Sequence, residues 1–251
     1  MKKKVIGIIP ARFASSRFPG KLLFNICGKP LIEHTFENAK KCVDIDELFV
    51  ATDNKRIASH ILSLGGKVIM TSIKCKNGTE RVIEAIKNNT NLQKSDLIVN
   101  IQGDHPNISS STLTSSIDLL KNDDVAVMST AVSEIDYKKA LSSHIVKCVI
   151  DKKSNALYFS RSIIPFRKSK LDKTKFYYHI GLYVYKTSFL LKLNELNSTS
   201  LQEEEDLEQL KILEHGYKIK VAIVNENELG VDTPEDIKKV EKYLCLSNTY
   251  S

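Results

Sequence analysis

Apolar runs and amphipathic stretches alternate through the first hundred residues. VIGII (5–9) is the β-rich apolar run expected of a strand buried on both faces of a parallel sheet. A loop containing Gly, Ser and Pro follows, and a helical stretch opens at Pro30 with Ile32, Phe36 and Ala39 on one side. LFVAT (48–52) reads as a second strand ending at Asp53. The next helix carries Ile57, Ile61 and Leu64 and is stopped by Gly65-Gly66. KVIM (67–70) predicts a third strand, 79–87 a helix, and LIVNI (97–101) a fourth strand running into Gln-Gly-Asp. Strands and helices that alternate over short connections predict a parallel sheet with helices on both faces.

The second half is less regular. VAVMSTAV (125–132), IVKCVI (145–150), ALYFS (156–160) and GLYVY (181–185) read as strands, some of them antiparallel. A helix is expected over 206–214, ending near Gly216, and KIKVAIV (218–224) alternates like a half-buried strand. The last helix starts at Pro234, with Asp232 or Thr233 as its N-cap. There is no internal repeat, low-complexity tract or linker, so residues 1–251 read as a single α/β domain with an inserted subregion.

Composition narrows the class. With 42% hydrophobic and 27% charged residues the chain is ordinary globular material, and none of its apolar runs approaches the roughly 20 residues that span a bilayer. The start reads as a short lysine tail and then a strand, not a signal segment, which predicts a cytoplasmic protein without membrane insertion. The five cysteines are scattered and include no CxxC pair, against a disulfide framework or a zinc site; buried thiols are expected. A net charge of +7 raises nucleic-acid binding. The lysines are dispersed, however, and no basic block is interleaved with aromatics, a pattern of solvated surface that also suits small anionic substrates. Only six of the 37 basic residues are arginine, and four of those fall in the motifs below. Guanidinium offers phosphate and carboxylate a planar fork of donors that lysine does not match.

IIPARFASSRFPGKLL (8–23) leaves the first strand into a loop carrying Arg12, Ser15, Ser16, Arg17, Gly20 and Lys21. Ligands of open α/β sheets sit beyond the carboxyl ends of the strands, and small residues there let backbone N–H groups approach phosphate while Arg and Lys neutralise it. The loop is neither a Walker A sequence nor G-x-G-x-x-G, and a basic surface turn has the same composition. In QGDHP (102–106), Asp104 is placed either to hold a hard cation such as Mg²⁺ or to make an Asx turn. Asp232 in GVDTPEDI (230–237) is a helix cap or a second metal carboxylate, whereas Asp53 reads as a turn or cap. GTER (78–81) puts Arg81 in the first turn of a helix. Arg161, His179 and Tyr183 stand near strand ends, where His and Tyr are as often packed as functional.

Taken in order, IPARFASSRFPGKLL, GKPLIEHT, VATD, GTERV, VNIQGD, ALYFSRSIIPF, HIGLYVY, LEQLKILEHG and GVDTPEDI resemble the 3-deoxy-manno-octulosonate cytidylyltransferases over roughly residues 5–240. The resemblance implies a Rossmann-like nucleotidyltransferase fold, a mixed and mostly parallel central sheet flanked by helices. Residues from about 130 to 215 would supply a smaller sugar-binding and dimerisation subregion. It implies a homodimer that takes CTP and a 2-keto-3-deoxy sugar acid (Kdo) to the CMP-sugar and pyrophosphate, for lipopolysaccharide synthesis. On that pattern Arg12, Ser15, Arg17, Lys21 and Arg81 bind the nucleotide, and Asp104 and Asp232 hold Mg²⁺. Arg12, Lys21, Asp104 and Asp232 carry the catalysis, while Gln102, Arg161, His179, Tyr183, Glu208 and Gln209 face the sugar acid. Two departures stand out: His105 occupies the position where the family usually has Glu, and SSHIVK lacks the Asn-containing stretch usual before Val146. A sialic-acid or 8-amino-Kdo cytidylyltransferase, or a noncatalytic nucleotide-binding protein, would share many of these features.

Overall fold

The computed structural model describes residues 2–13, 18–169, 174–225, 228–231 and 233–247. In chain order its main elements are β1 (Val5–Ala11), α1 (Leu31–Lys40), β2 (Glu47–Thr52), α2 (Lys55–Ser63), β3 (Lys67–Met70), α3 (Gly78–Lys87), β4 (Leu97–Ile101) and α4 (Ser110–Lys121). Then follow β5 (Met128–Ile135), β6 (Lys147–Ile150), β7 (Ala156–Ser160), β8 (Phe176–Lys186), α5 (Ser200–Glu205), α6 (Glu208–Glu214), β9 (Ile219–Val224) and α7 (Pro234–Ser247). The chain forms two compact units, one of residues 1–113 with 228–251 and the other of residues 114–227.

The first unit holds a parallel sheet in the order β4-β1-β2-β3. β1 sits between two neighbours, Ile8 facing Phe49 on one side and Asn100 on the other. Its apolar run has the cause anticipated from the sequence: Val5, Ile6, Ile8 and Ile9 are all fully buried, covered from both faces. Helices α1, α2 and α3 turn Leu31, Ile32, Phe36, Ile57, Ile61, Val82 and Ile86 into that core. Because all four strands run the same way, Ala11, Thr52, Met70 and Ile101 end on one edge.

The second unit is mixed. β5 pairs with β9 in parallel and with β8 antiparallel, and β8 and β7 both pair antiparallel with β6. Here boundaries move from those expected. β5 opens at Met128 instead of Val125, because Asp123 Oδ1 captures the N–H groups of Val125 and Ala126 in an Asx turn. β8 begins five residues before Gly181, and the register shift between Ile180 and Tyr183 breaks the alternation that would have revealed it. The helix expected over 206–214 is α6, which starts two residues later, at Glu208, because Asp206 adopts the left-handed conformation (φ 52°) that ends a preceding helix, α5, absent from the sequence reading. Helix α4 is a twelve-residue element with no counterpart in the sequence reading. The expectation of buried cysteines holds only for Cys42 and Cys148; Cys27 and Cys245 are exposed and Cys75 is half-buried. Among the described residues, no helix is long and apolar enough to cross a membrane.

Candidate active site

The carboxyl edge of the first unit's sheet is where its functional side chains gather. The chain leaves β1 at Arg12, which is exposed and donates Nη1 to the Lys76 carbonyl at 3.3 Å. A short turn of 3₁₀ helix, Lys21–Leu23, follows the loop and brings Lys21 across to Asp104. Lys21 Nζ meets Asp104 Oδ2 at 2.5 Å and also donates to the Val231 carbonyl at 2.8 Å. Val231 in turn donates its N–H to the Asp104 carbonyl at 3.0 Å. One lysine therefore ties together three segments that are far apart in sequence: the loop after β1, the turn after β4 and the segment at Val231, shortly before α7.

Gly103 is what lets the turn after β4 come so close. A Cβ there would lie 3.1 Å from the Pro10 carbonyl oxygen and 3.2 Å from Ile32 Cδ1, both fixed parts of the core. Thr35 Oγ1 secures the same turn by donating to the Gly103 carbonyl at 2.9 Å. Burial opposes ionisation of Asp104, but Lys21, His105 and its own backbone N–H outweigh it and hold the carboxyl below its usual range. Asp104 is therefore an anionic oxygen donor with its side chain 24% exposed. That chemistry fits a hard divalent cation, which binds through one or two carboxylates and takes its other ligands from substrate phosphates and water. Among the described residues no group of three or more His, Cys, Asp and Glu gathers into an all-protein cage. Ser15, Arg17 and Asp232 lie outside the described residues.

Arg12, Lys21, Gly78, Arg81, Gln102 and Asp104 line a cavity of about 160 Å³ at this edge. A larger cavity, about 470 Å³, lies against α1 and α7 and includes Lys29 and Lys41. Those cations already serve Glu37 and Asn38. The smaller cavity, with Arg12, Lys21 and Asp104 converging on it, is the better-equipped anion and metal site. Arg81 is only 2% exposed; its Nη1 donates to Thr71 Oγ1 at 2.5 Å and its Nη2 to Asp53 Oδ2 at 2.9 Å. Asp53, read from the sequence as a turn or cap, is thus the carboxylate that holds Arg81 beneath the cavity. The cap of α2 is Asn54, whose side chain accepts from Arg56 and Ile57 N–H.

In the second unit, His179 and Tyr183 lie on β8 on either side of the bulge, their rings 5.5 Å apart, with Phe159 edge-on to His179 at 5.0 Å. Thr130 Oγ1 stands 2.9 Å from His179 Nε2 and donates to the Leu182 carbonyl at 2.6 Å, so the imidazole Nε2 is the donor of the first contact. Burial, with Glu208 adding to it, pushes the Tyr183 phenol up, which keeps it a neutral hydrogen-bonding group. Gln209 is 3% exposed and its Nε2 has no hydrogen-bond partner among the described residues, an orphaned donor of the kind a ligand satisfies. Arg161 follows β7, and its Nε donates to the Glu205 carbonyl at 2.8 Å. Gln102 belongs to the first unit, in the cavity with Asp104. Sequence reasoning passed over Thr130, Lys147 and Glu205, and read Asp53 only as a turn or cap. The one visible signal was Lys147, a charge inside the apolar run IVKCVI that the structure buries completely.

Comparison with known proteins places this geometry. The family model for cytidylyltransferases matches residues 6–219. A 3-deoxy-manno-octulosonate cytidylyltransferase of Protochlamydia amoebophila (strain UWE25) is 49% identical over an alignment of 253 residues, covering 100% of this chain and 98% of the relative. The mitochondrial 3-deoxy-manno-octulosonate cytidylyltransferase of Arabidopsis thaliana is 46% identical, covering 97% of this chain and 84% of its own. A solved CMP:2-keto-3-deoxy-manno-octonic acid synthetase complexed with CTP matches the fold with a TM-score of 0.91 at 33% identity, over 97% of this chain and 99% of that one. The nucleotidyltransferase fold, mixed α/β with a mostly parallel sheet flanked by helices, is the one the sequence resemblance implied. The chain belongs to the cytidylyltransferase family and groups within it with the 3-deoxy-manno-octulosonate cytidylyltransferases.

Proposed function

We propose that this enzyme transfers CMP from CTP to the anomeric hydroxyl of 3-deoxy-D-manno-octulosonate (Kdo), releasing pyrophosphate and forming CMP-Kdo. The observation that carries this reading is the 49% identity, along the whole chain, to a 3-deoxy-manno-octulosonate cytidylyltransferase. The pairing of a basic loop with an ionised strand-end carboxylate supports it.

In this reading Arg12 and Lys21, with Ser15 and Arg17, neutralise the triphosphate, and Arg81 supports the nucleotide from below. Asp104 and Asp232 hold Mg²⁺, which when bound supplies charge neutralisation at the phosphate oxygens. Arg161 pairs with the sugar carboxylate, while Gln102, His179, Tyr183, Glu208 and Gln209 orient the hydroxyls, the orphaned amide of Gln209 being the clearest support. The anomeric oxygen then attacks the α-phosphorus as the bond to the β-phosphate oxygen breaks, and the hydroxyl proton is lost. Such transfer needs positioning and electrostatic stabilisation more than covalent help. The single-domain organisation of residues 1–251, with 130–215 serving the sugar and a homodimer contact, belongs to the same proposal, as does a cytoplasmic site of action. These last elements rest on the family resemblance.

Pyrophosphate release with Mg²⁺ and CTP, tested against Kdo, 8-amino-Kdo and N-acetylneuraminate, decides the substrate. Release with Kdo alone, and none when ATP or UTP replaces CTP, is the expected result. Preference for 8-amino-Kdo would assign a changed sugar specificity, for which His105 is the first residue to examine. No release with any sugar would reduce the protein to a nucleotide-binding domain.

A further inference from the structure

Lys147 is the feature of the second unit that the reaction leaves unexplained. It is fully buried at the start of β6, facing Ser160 of β7 across one ladder and Tyr178 of β8 across the other. An ammonium group has three N–H donors, and Lys147 spends all three on carbonyl oxygens: Ser142 at 2.9 Å, Ile145 at 2.5 Å and Arg161 at 2.6 Å. It has no donor left for a ligand. Burial pushes its pKa down, and the nearby Glu205 carboxylate partly restores it. Buried charges are weak contributors to stability, so a lysine kept at such a position calls for another role.

The carbonyl of Arg161 is only half of the arrangement. The Arg161 N–H donates to Glu205 Oε2 at 2.7 Å, and Glu205 Oε1 accepts from Ser160 Oγ at 2.5 Å. Arg161 is therefore gripped at its backbone N–H by an anion and at its backbone carbonyl by a cation. Its guanidinium is fixed as well: Nε donates to the Glu205 carbonyl at the end of α5 and Nη2 reaches the Asp206 carbonyl at 3.4 Å. Asp206 adopts the left-handed conformation that turns those carbonyls toward the arginine. Nη2 also lies 3.9 Å from the exposed Asp206 carboxylate, Nη1 makes no hydrogen bond among the described residues, and the side chain remains 39% exposed.

We propose that Lys147 and Glu205 are positioning residues: together they clamp the backbone of Arg161 so that its free guanidinium edge is preset for the carboxylate of the sugar acid. The clamp rests on the reading of Arg161 given above. It lowers the entropy lost when the arginine pairs with substrate, because backbone and Nε are fixed beforehand. Lys147 and Glu205 themselves touch no substrate.

The test is a double-mutant cycle read by steady-state kinetics on the sugar acid that the wild type uses. Lys147→Met keeps the length and burial of the side chain but removes the cation, and Glu205→Gln keeps the shape of the other jaw. Each is expected to raise the KM for the sugar about tenfold with the KM for CTP within about twofold, since one charge-assisted contact is loosened. In an Arg161→Lys background, itself expected to raise the sugar KM, neither should add a further increase, because both act through Arg161. Equal changes in the two KM values, or effects that multiply in the Arg161→Lys background, would overturn the clamp. An unchanged sugar KM in Arg161→Lys alone would instead remove Arg161 from the sugar site and the inference with it. If Lys147→Met fails to fold, Glu205→Gln carries the same cycle.

Discussion

At the scale of single residues, the site depends on charges whose partners are other parts of the protein. Asp104 is ionised because Lys21 and His105 offset its burial. Replacing it with Asn keeps the shape and removes the anion that a divalent cation needs. Turnover should fall by about a hundredfold or more, roughly 3 kcal/mol in the barrier, with the thermal unfolding midpoint little changed. A rate near that of the wild type at saturating Mg²⁺ would take Asp104 out of the metal site. Arg81 and Asp53 present the opposite balance. Arg81 is buried and Asp53 nearly so, each the other's ionic partner, with side chains 2% and 10% exposed. Asp53→Ala leaves a guanidinium buried beside Thr71 without its anion, and should destabilise the fold by about 3 kcal/mol in urea titration. A loss below about 1 kcal/mol would show that water reaches the pair.

At the scale of elements, how well the sequence can be read follows from how regular each element is. β1 and β4 are buried along their whole length and β2 over its last four residues, so their apolar runs coincide with the strands nearly residue for residue, while β3, partly exposed at the sheet edge, is set off by Gly65-Gly66. In the second unit the signals are side chains that act on the backbone at a distance. The bulge in β8 hides a strand whose first half reads FYYHI, and the left-handed Asp206 ends one helix and delays the next to Glu208. Neither is visible without the tertiary contacts that stabilise it: Thr130 donating to Leu182 in the bulge, and Arg161 at the Asp206 turn. Of the proposed site, the arginine and lysine loop and the Gln-Gly-Asp turn were legible because they interrupt regular elements. Asp53, Glu205 and Lys147 were not, because their importance lies in which buried group each meets. The Asx turn that delays β5 can be tested directly. The Ala126 N–H, with that of Val125 and the Lys220 ammonium, holds the Asp123 carboxyl below its usual range against the opposing effect of burial. A depressed pKa means that the ionised form is favoured by folding, so this contribution is complete above the unfolded pKa of about 4 and fades as pH falls through the folded value. Asp123→Asn should lower stability by about 1 kcal/mol at pH 7, and the difference from wild type should shrink near pH 3. A constant difference across that range would mean that shape, not charge, sets the turn.

At the scale of the whole chain, the first unit is assembled from both ends of the sequence, and its closure rests on contacts between the early loops and residues 228–251, Val231 and the final helix among them. Lys21 reaching the Val231 carbonyl is one such contact. Cys27 and Cys245 make another, with sulfur atoms 2.6 Å apart on the protein surface. Cys27 sits in the left-handed conformation (φ 47°) at the tip of the hairpin formed by Asn25–Ile26 and Lys29–Pro30, which turns its thiol toward α7. Burial, followed by the hydrogen bond with Cys245, raises the Cys27 thiol to about 11. Little Cys27 thiolate exists near neutrality, so attack of Cys27 on glutathione disulfide should be slow at pH 7 and close to tenfold faster for each pH unit above it until about pH 10. The two thiols lose two protons and two electrons, and one glutathione disulfide is reduced to two molecules of glutathione. The resulting bond would close a loop of more than two hundred residues, which in the chain-entropy picture stabilises by up to roughly 5 kcal/mol, less whatever strain the bond imposes. Oxidised protein should therefore show a higher unfolding midpoint and a mass reduced by two hydrogens, and Cys245→Ser should abolish both changes. A disulfide that forms readily but lowers the midpoint would mean that the hairpin and α7 meet at their sulfur atoms without the backbone geometry a bond requires.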